Sequence, residues 1–205
     1  MAELKFSKIE AIRFGWNTTL HNFRFLLLVF AIVVGVSLLP RIINLLEVPI
    51  FLSILVGIVF FVVNSILSLG VIAIVLKFVK NEKPTIQDLV SKKHLFSKYI
   101  FSNILVSILT IIGFLFFIIP GIVLAVRTQF YVYFIVEEEV GPIDAIKKSW
   151  NLTKGSFWNI FFFGLLAGGV QILGALALLV GLIFTTPTMW VAWAVVYEKL
   201  KAAKA

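Results

Sequence analysis

No cysteine occurs in the 205 residues, which excludes disulfides, thiolate nucleophiles and cysteine-based metal sites. Histidine is almost as scarce: His21 and His94 stand alone, each without a metal-ligand partner at suitable spacing. No phosphate-cradling glycine loop or nucleophile elbow appears, so no catalytic residue, cofactor or metal is expected and the chain reads as a non-enzyme. Charge is the third shortage. Charged residues make up 14% of the chain, about half the ~25% of an ordinary soluble domain. The first 22 residues are polar and amphipathic, and no small-residue cleavage pattern follows Phe25, so no cleaved leader is expected.

What is present is hydrophobic, at 61% of residues. Val48 to Leu76 runs 29 residues without a charge, Tyr99 to Val126 runs 28, and Gly155 to Tyr197 runs 43. A membrane helix needs ~20 apolar residues, so the first two runs each hold one span and the third holds two. A shorter stretch, Phe25 to Pro40, lies between Arg24 and Arg41, whose long side chains reach the interfaces. Six helices follow, at about 23–44, 49–76, 99–119, 121–136, 157–180 and 183–197. Pro40, Pro120-Gly121 and Thr185-Thr186-Pro187 are expected to mark turns or breaks. The fold class is therefore all-α: a polytopic transmembrane bundle forming one integral membrane domain.

A net charge of +8 would suggest nucleic acid in a soluble protein, but its distribution points to a membrane. Sixteen of the 18 basic residues, from Lys5 to Lys204, fall on one side of this topology. Arg41 lies on the other side and Arg127 within a span. The positive-inside rule puts that side, and both termini, in the cytoplasm.

An internal repeat is the most informative feature. Residues 9–24 read IEAIRFGWNTTLHNFR and residues 143–158 read IDAIKKSWNLTKGSFW, identical at seven of 16 positions. Spacings of three and four place Ile9, Ile12, Trp16, Leu20 and Phe23 on one helical face, and Ile143, Ile146, Trp150, Thr153 and Phe157 on the other copy's face. Ser7-x-x-Glu10 reads as a capping box, and Pro142 suits a first helical turn. Thr85-Ile-Gln-Asp88 opens a weaker third copy. Each module, at about 5–76, 85–136 and 142–197, would be an amphipathic helix followed by a transmembrane hairpin. Ile12, Arg13, Trp16, Ile146, Lys147 and Trp150 are then candidate contacts to anionic inner-leaflet lipids or to a protein partner. An elbow that only anchors each hairpin is the plainer reading.

The run IIPGIVLAVRTQFYVYFIVEEEVGPIDAIKKSWNLTKGSFW resembles a group of six-span bacterial and archaeal proteins. That group includes the membrane domain joined to some glycerophosphodiester phosphodiesterases and the YciC-like proteins. Pro120, Gly121, Arg127, Glu138, Gly141, Pro142, Ala145, Ser149 and Gly155 fall at the positions of its pattern. The resemblance implies a six-span fold. It implies no phosphodiesterase activity, because the soluble enzyme domain has no counterpart in this sequence.

Ionisable groups inside spans are costly and are functional candidates by default. Arg127 counts to near the middle of the fourth span, with Tyr131 one turn on and Glu138 on the same face. Asn64, Thr110 and Gln171 fall at similar depths in other spans and are expected to face Arg127 in a polar core. Such a core would bind a lipid phosphate or other anion, or would lock the bundle. As a transport site it would make the chain a small transporter or lipid translocator. Gly164-x-x-x-Gly168, extended by Gly169, Gly174 and Ala175, is expected to serve packing within the chain. Glu137-Glu138-Glu139 reads as a solvated helix end, with Lys147 and Lys148 as available partners.

Overall fold

The computed structural model describes residues 6–45, 49–177 and 180–204, so Lys5, Val48 and the tips of two connections lie outside the described residues. Among the described residues the regular structure is helical throughout. Six helical stretches are long and apolar enough to cross a membrane. The chain is an integral membrane protein with several spans.

The polypeptide starts with α1 (Lys8–His21), capped where the Ser7 hydroxyl accepts the Glu10 amide at 3.3 Å. The first hairpin is α2 (Phe23–Asn44) and α3 (Ile50–Val79). A short helix, α4 (Asp88–Ser91), and a single 3₁₀ turn (Lys93–Leu95) lead into α5 (Phe96–Phe116). The next span is broken into α6 (Ile118–Thr128) and α7 (Tyr131–Glu138). Helix α8 (Pro142–Thr153) then precedes the last hairpin, α9 (Phe157–Leu176) and α10 (Val180–Ala202).

One pairing recurs three times. Each short helix lying outside the spans packs against the second member of a hairpin: α4 on α3, α8 on α7, and α1 on α10. Those three span segments meet one another. Leu69, Val75 and Leu76 of α3, Tyr133, Ile135 and Val136 of α7, and Val191, Val195 and Tyr197 of α10 share one buried cluster. The rings of Tyr133 and Tyr197 stack at 5.0 Å within it. Away from this cluster the helices present bare apolar surface, with Phe51, Leu115, Ile119 and Leu176 largely exposed. In a membrane protein that surface belongs to the acyl chains.

The prolines behave differently from expectation. Pro40 and Pro187 lie inside α2 and α10, which run through them. Pro120 lies in the first turn of α6, and the actual turn is at Phe117, whose backbone is extended. A proline near a helix start removes only an N–H that has no intrahelical partner, so it breaks nothing there. The break in the fourth span instead falls at Gln129–Phe130. The weaker third copy is one turn of helix, although its capping signal is used: Asp88 accepts from the Thr85 amide at 2.7 Å and pairs with Lys77 at 2.7 Å. Gly168 and Gly169 look onto open space and so do not pack within the chain. The close approach of α9 to α10 occurs at Gly174, where an added Cβ would lie 2.4 Å from the Thr185 hydroxyl.

Candidate functional site at the basic end

The two well-matched copies, α1 and α8, bury the same three positions. These are Ala11, Gly15 and Thr19 in α1 and Ala145, Ser149 and Thr153 in α8, each pair 134 residues apart. The interval of four places each trio on one stripe. All six side chains are small, so the spans approach both helices closely along this stripe, and α8 buries Leu152 beside it. Trp16 and Trp150 remain 42% and 39% exposed, and Arg13 and Lys147 point outward beside them. Ile12 and Ile146 differ: both are half-buried and pack against the core, so they are not free surface contacts.

Each stripe meets a weak point in a span. Gly15 faces α10 just beyond Pro187, where a Cβ would come within 2.4 Å of the Thr188 carbonyl. The hydroxyls of Thr19 and Thr188 pair there at 3.3 Å. Ser149 faces the break between α6 and α7. The break strips the Arg127 carbonyl and the Phe130 amide of their helical partners, and the Ser149 hydroxyl serves both. It donates to the first at 2.8 Å and accepts from the second at 3.1 Å.

This arrangement brings Arg127 to the seam between α8 and α9, beside the rings of Trp150 at 5.5 Å and Phe157 at 5.8 Å. The expected polar core around it is not formed. Asn64 pairs with Ser37 at 2.7 Å, and Gln171 accepts from Thr185 at 2.9 Å. Tyr131 pairs with Asn103 at 3.2 Å, and Thr110 is half-buried in α5. Glu138 belongs to a separate ionic cluster, pairing with Lys148 and Lys201. The span breaks two residues after Arg127, and α8 folds back alongside it.

The glutamate run supplies an ionic hub instead of a solvated helix end. Glu137 accepts from Lys80 at 2.6 Å, Lys201 at 2.7 Å and the Tyr197 hydroxyl at 2.6 Å. Glu139 pairs with Lys92 at 2.7 Å and His94 at 3.3 Å, and its carbonyl accepts from Lys98. These bonds hold the Glu139 carboxyl below the usual carboxylate range. Lys147 is exposed, while its neighbour Lys148 makes the expected pair. The ends of α3, α7 and α10, the start of α5 and one face of α8 are thus tied together. Reading the sequence missed Lys80, Lys92, Lys201 and Tyr197, since partners 47 to 64 residues from their glutamates leave no local signal.

Lys204 was also missed. Its ammonium caps the end of α8, donating to the carbonyls of Asn151 and, at 2.9 Å, Lys154. Burial lowers its proton affinity, and the nearby charges of Arg127 and Lys154 lower it further. No family model, curated protein or solved structure matches the chain.

Proposed function

We propose that the chain is a non-enzymatic scaffold or accessory of the cytoplasmic membrane, with both termini in the cytoplasm, whose basic end gathers anionic lipid of the inner leaflet. The observation that carries this reading is the division of labour on α1 and α8. Small residues line the contact of both helices with the spans, while Trp16, Arg13, Trp150 and Lys147 stay exposed on the other side. Tryptophan beside a cation is what a bilayer interface accepts: the ring lies at head-group level and the charge meets lipid phosphate. The resemblance to six-span membrane domains is compatible with this role and adds no activity to it.

The test is lipid retention. Delipidated protein in neutral detergent is titrated with phosphatidylglycerol or phosphatidylcholine and read by native mass spectrometry. Wild type is expected to hold the anionic lipid several-fold more tightly. At about 1 kcal/mol per basic residue near an anionic surface, Arg13→Gln with Lys147→Gln should weaken that preference by roughly tenfold or more. Equal affinity for the two lipids in the wild type sinks the reading.

A further inference from the structure

Among the described residues, six lysines at the basic end have carboxylate partners. Lys80, Lys92, Lys148, Lys199 and Lys201 are paired, as is Lys77 beside α4. The seam between α8 and α9 is different. Arg127 has its Nε and Nη1 out of contact with solvent and without a hydrogen-bond partner, although the residue as a whole keeps an exposed edge. Two aromatic rings flank the guanidinium, and neither supplies an acceptor. The partial negative charge at the α8 C-terminus is already engaged by Lys204. Lys204 in turn lines a cavity of about 340 Å³ with Phe134, Lys148, Asn151, Leu152 and Lys201.

A guanidinium withdrawn from water without an acceptor is costly, and the general remedy is an anion. Arginine's planar fork matches two oxygens of a phosphate, and a lysine beside it takes a third. Trp150 and Trp158 are exposed next to the seam, which puts it at the depth of lipid head groups.

We infer that the unpartnered Arg127 guanidinium, with Lys204, forms a discrete receptor for a single phosphate group, with a phospholipid head group as its source. This deepens the proposed lipid-gathering role by naming one site within it. A diffuse basic surface attracts many lipids weakly, whereas this seam holds one phosphate by its oxygens. Lysine in place of Arg127 keeps the charge and loses the fork, so it should not restore binding in full.

The experiment uses the full-length protein in neutral detergent. It compares wild type, Arg127→Gln, Arg127→Lys and Lys204→Gln, each titrated with phosphatidylglycerol, phosphatidylcholine or inorganic phosphate at matched ionic strength. The tightest phosphatidylglycerol binding event should weaken at least about tenfold in Arg127→Gln and less in Arg127→Lys. Lys204→Gln, whose substitution lies near the chain end, should also weaken it and decides the matter if Arg127→Gln fails to fold. An Arg127-dependent response to inorganic phosphate without one to lipid overturns the head-group source and leaves the phosphate receptor. Unchanged lipid and phosphate affinity in Arg127→Gln, or in Lys204→Gln where that variant decides, overturns the receptor. If the wild type prefers phosphatidylglycerol while the Arg127 and Lys204 variants behave like it, the receptor fails and the proposed function survives. If the wild type shows no anionic preference, the proposed function fails first.

Discussion

Helices α1 and α8 carry closely matched sequences and bury the same stripe, yet they solve different problems. At α1 the central position is Gly15, and its contact is steric: the backbone of α10 lies so close that a Cβ has no room. At α8 the central position is Ser149, and its contact is polar: one hydroxyl satisfies two backbone groups freed by a broken span. The same helical frame therefore adapts to its partner through a single side chain. Where the span is continuous, the frame needs nothing at that point. Where the span is broken, it needs a donor and an acceptor.

The largest effect that this contrast predicts is at Gly15. Gly15→Leu would place a branched side chain where even a Cβ meets the Thr188 carbonyl, so α1 must leave its seat. We expect a loss of about 3 kcal/mol, read as a lowered unfolding midpoint in mixed dodecyl sulfate micelles. A near-neutral result would show that α1 is not held at this point. Next is Ser149→Ala, which keeps the shape of the side chain and deletes both hydrogen bonds. Leaving the Phe130 amide unsatisfied and the Arg127 carbonyl with only the longer bond from Thr153, at 3.4 Å, should cost about 2 kcal/mol. Alanine at 15 is then too large and alanine at 149 too poor. A second readout separates them, since Ser149→Ala should speed amide hydrogen exchange at Phe130, whereas Gly15→Ala should speed it along α1.

The third position of the stripe should matter less. Thr19→Val removes one hydroxyl pair, at 3.3 Å, and retains the packing volume. Its cost should be about 0.5 to 1 kcal/mol. Thr153→Val should cost little more, because the Thr153 hydroxyl bonds mainly to carbonyls of its own helix, at 3.0 Å from Ser149 and Trp150. A large penalty at Thr19 would mean that α1 also depends on polar contacts, and the contrast with α8 would shrink.

How much of this was legible in the sequence varies by the range of the interaction. The spans follow from local hydrophobicity, and the Ser7 cap and the Pro142 start follow from signals within four residues. The stripe of Ala, Gly or Ser, and Thr was visible as identities between the copies but was passed over in favour of the larger apolar residues. Small residues look uninformative until a neighbouring backbone is known to approach them. Arg127 stood out as a charge within a span, but the seam it lies in was not foreseen, since a break at Gln129–Phe130 has no proline or glycine to announce it. The Glu137 hub was illegible for another reason. Which of many lysines meets which glutamate depends on how three hairpins close on one another, and charge alone does not order them.

The smallest predicted effect concerns the ionic fastening beside each helix. On the α1 side, Glu10 pairs with Lys199 at the surface, and Glu10→Gln should shift stability by no more than about 0.5 kcal/mol. On the α8 side, Glu139 is fixed to Lys92 and His94 in the segment that leads into α5, and its carboxyl is held below its ordinary value. A depressed folded-state pKa contributes stability above the unfolded value of ~4.3 and loses it as pH falls through the folded value. Glu139→Gln lacks that contribution at every pH. Its unfolding midpoint should therefore lie slightly below wild type at pH 7, and the two should converge as pH falls through the lowered folded-state value, where the wild-type carboxyl takes up its proton. A gap that does not narrow with acid would mean that Glu139 acts through the shape of the left-handed turn it occupies, with φ at 52°, and not through its charge.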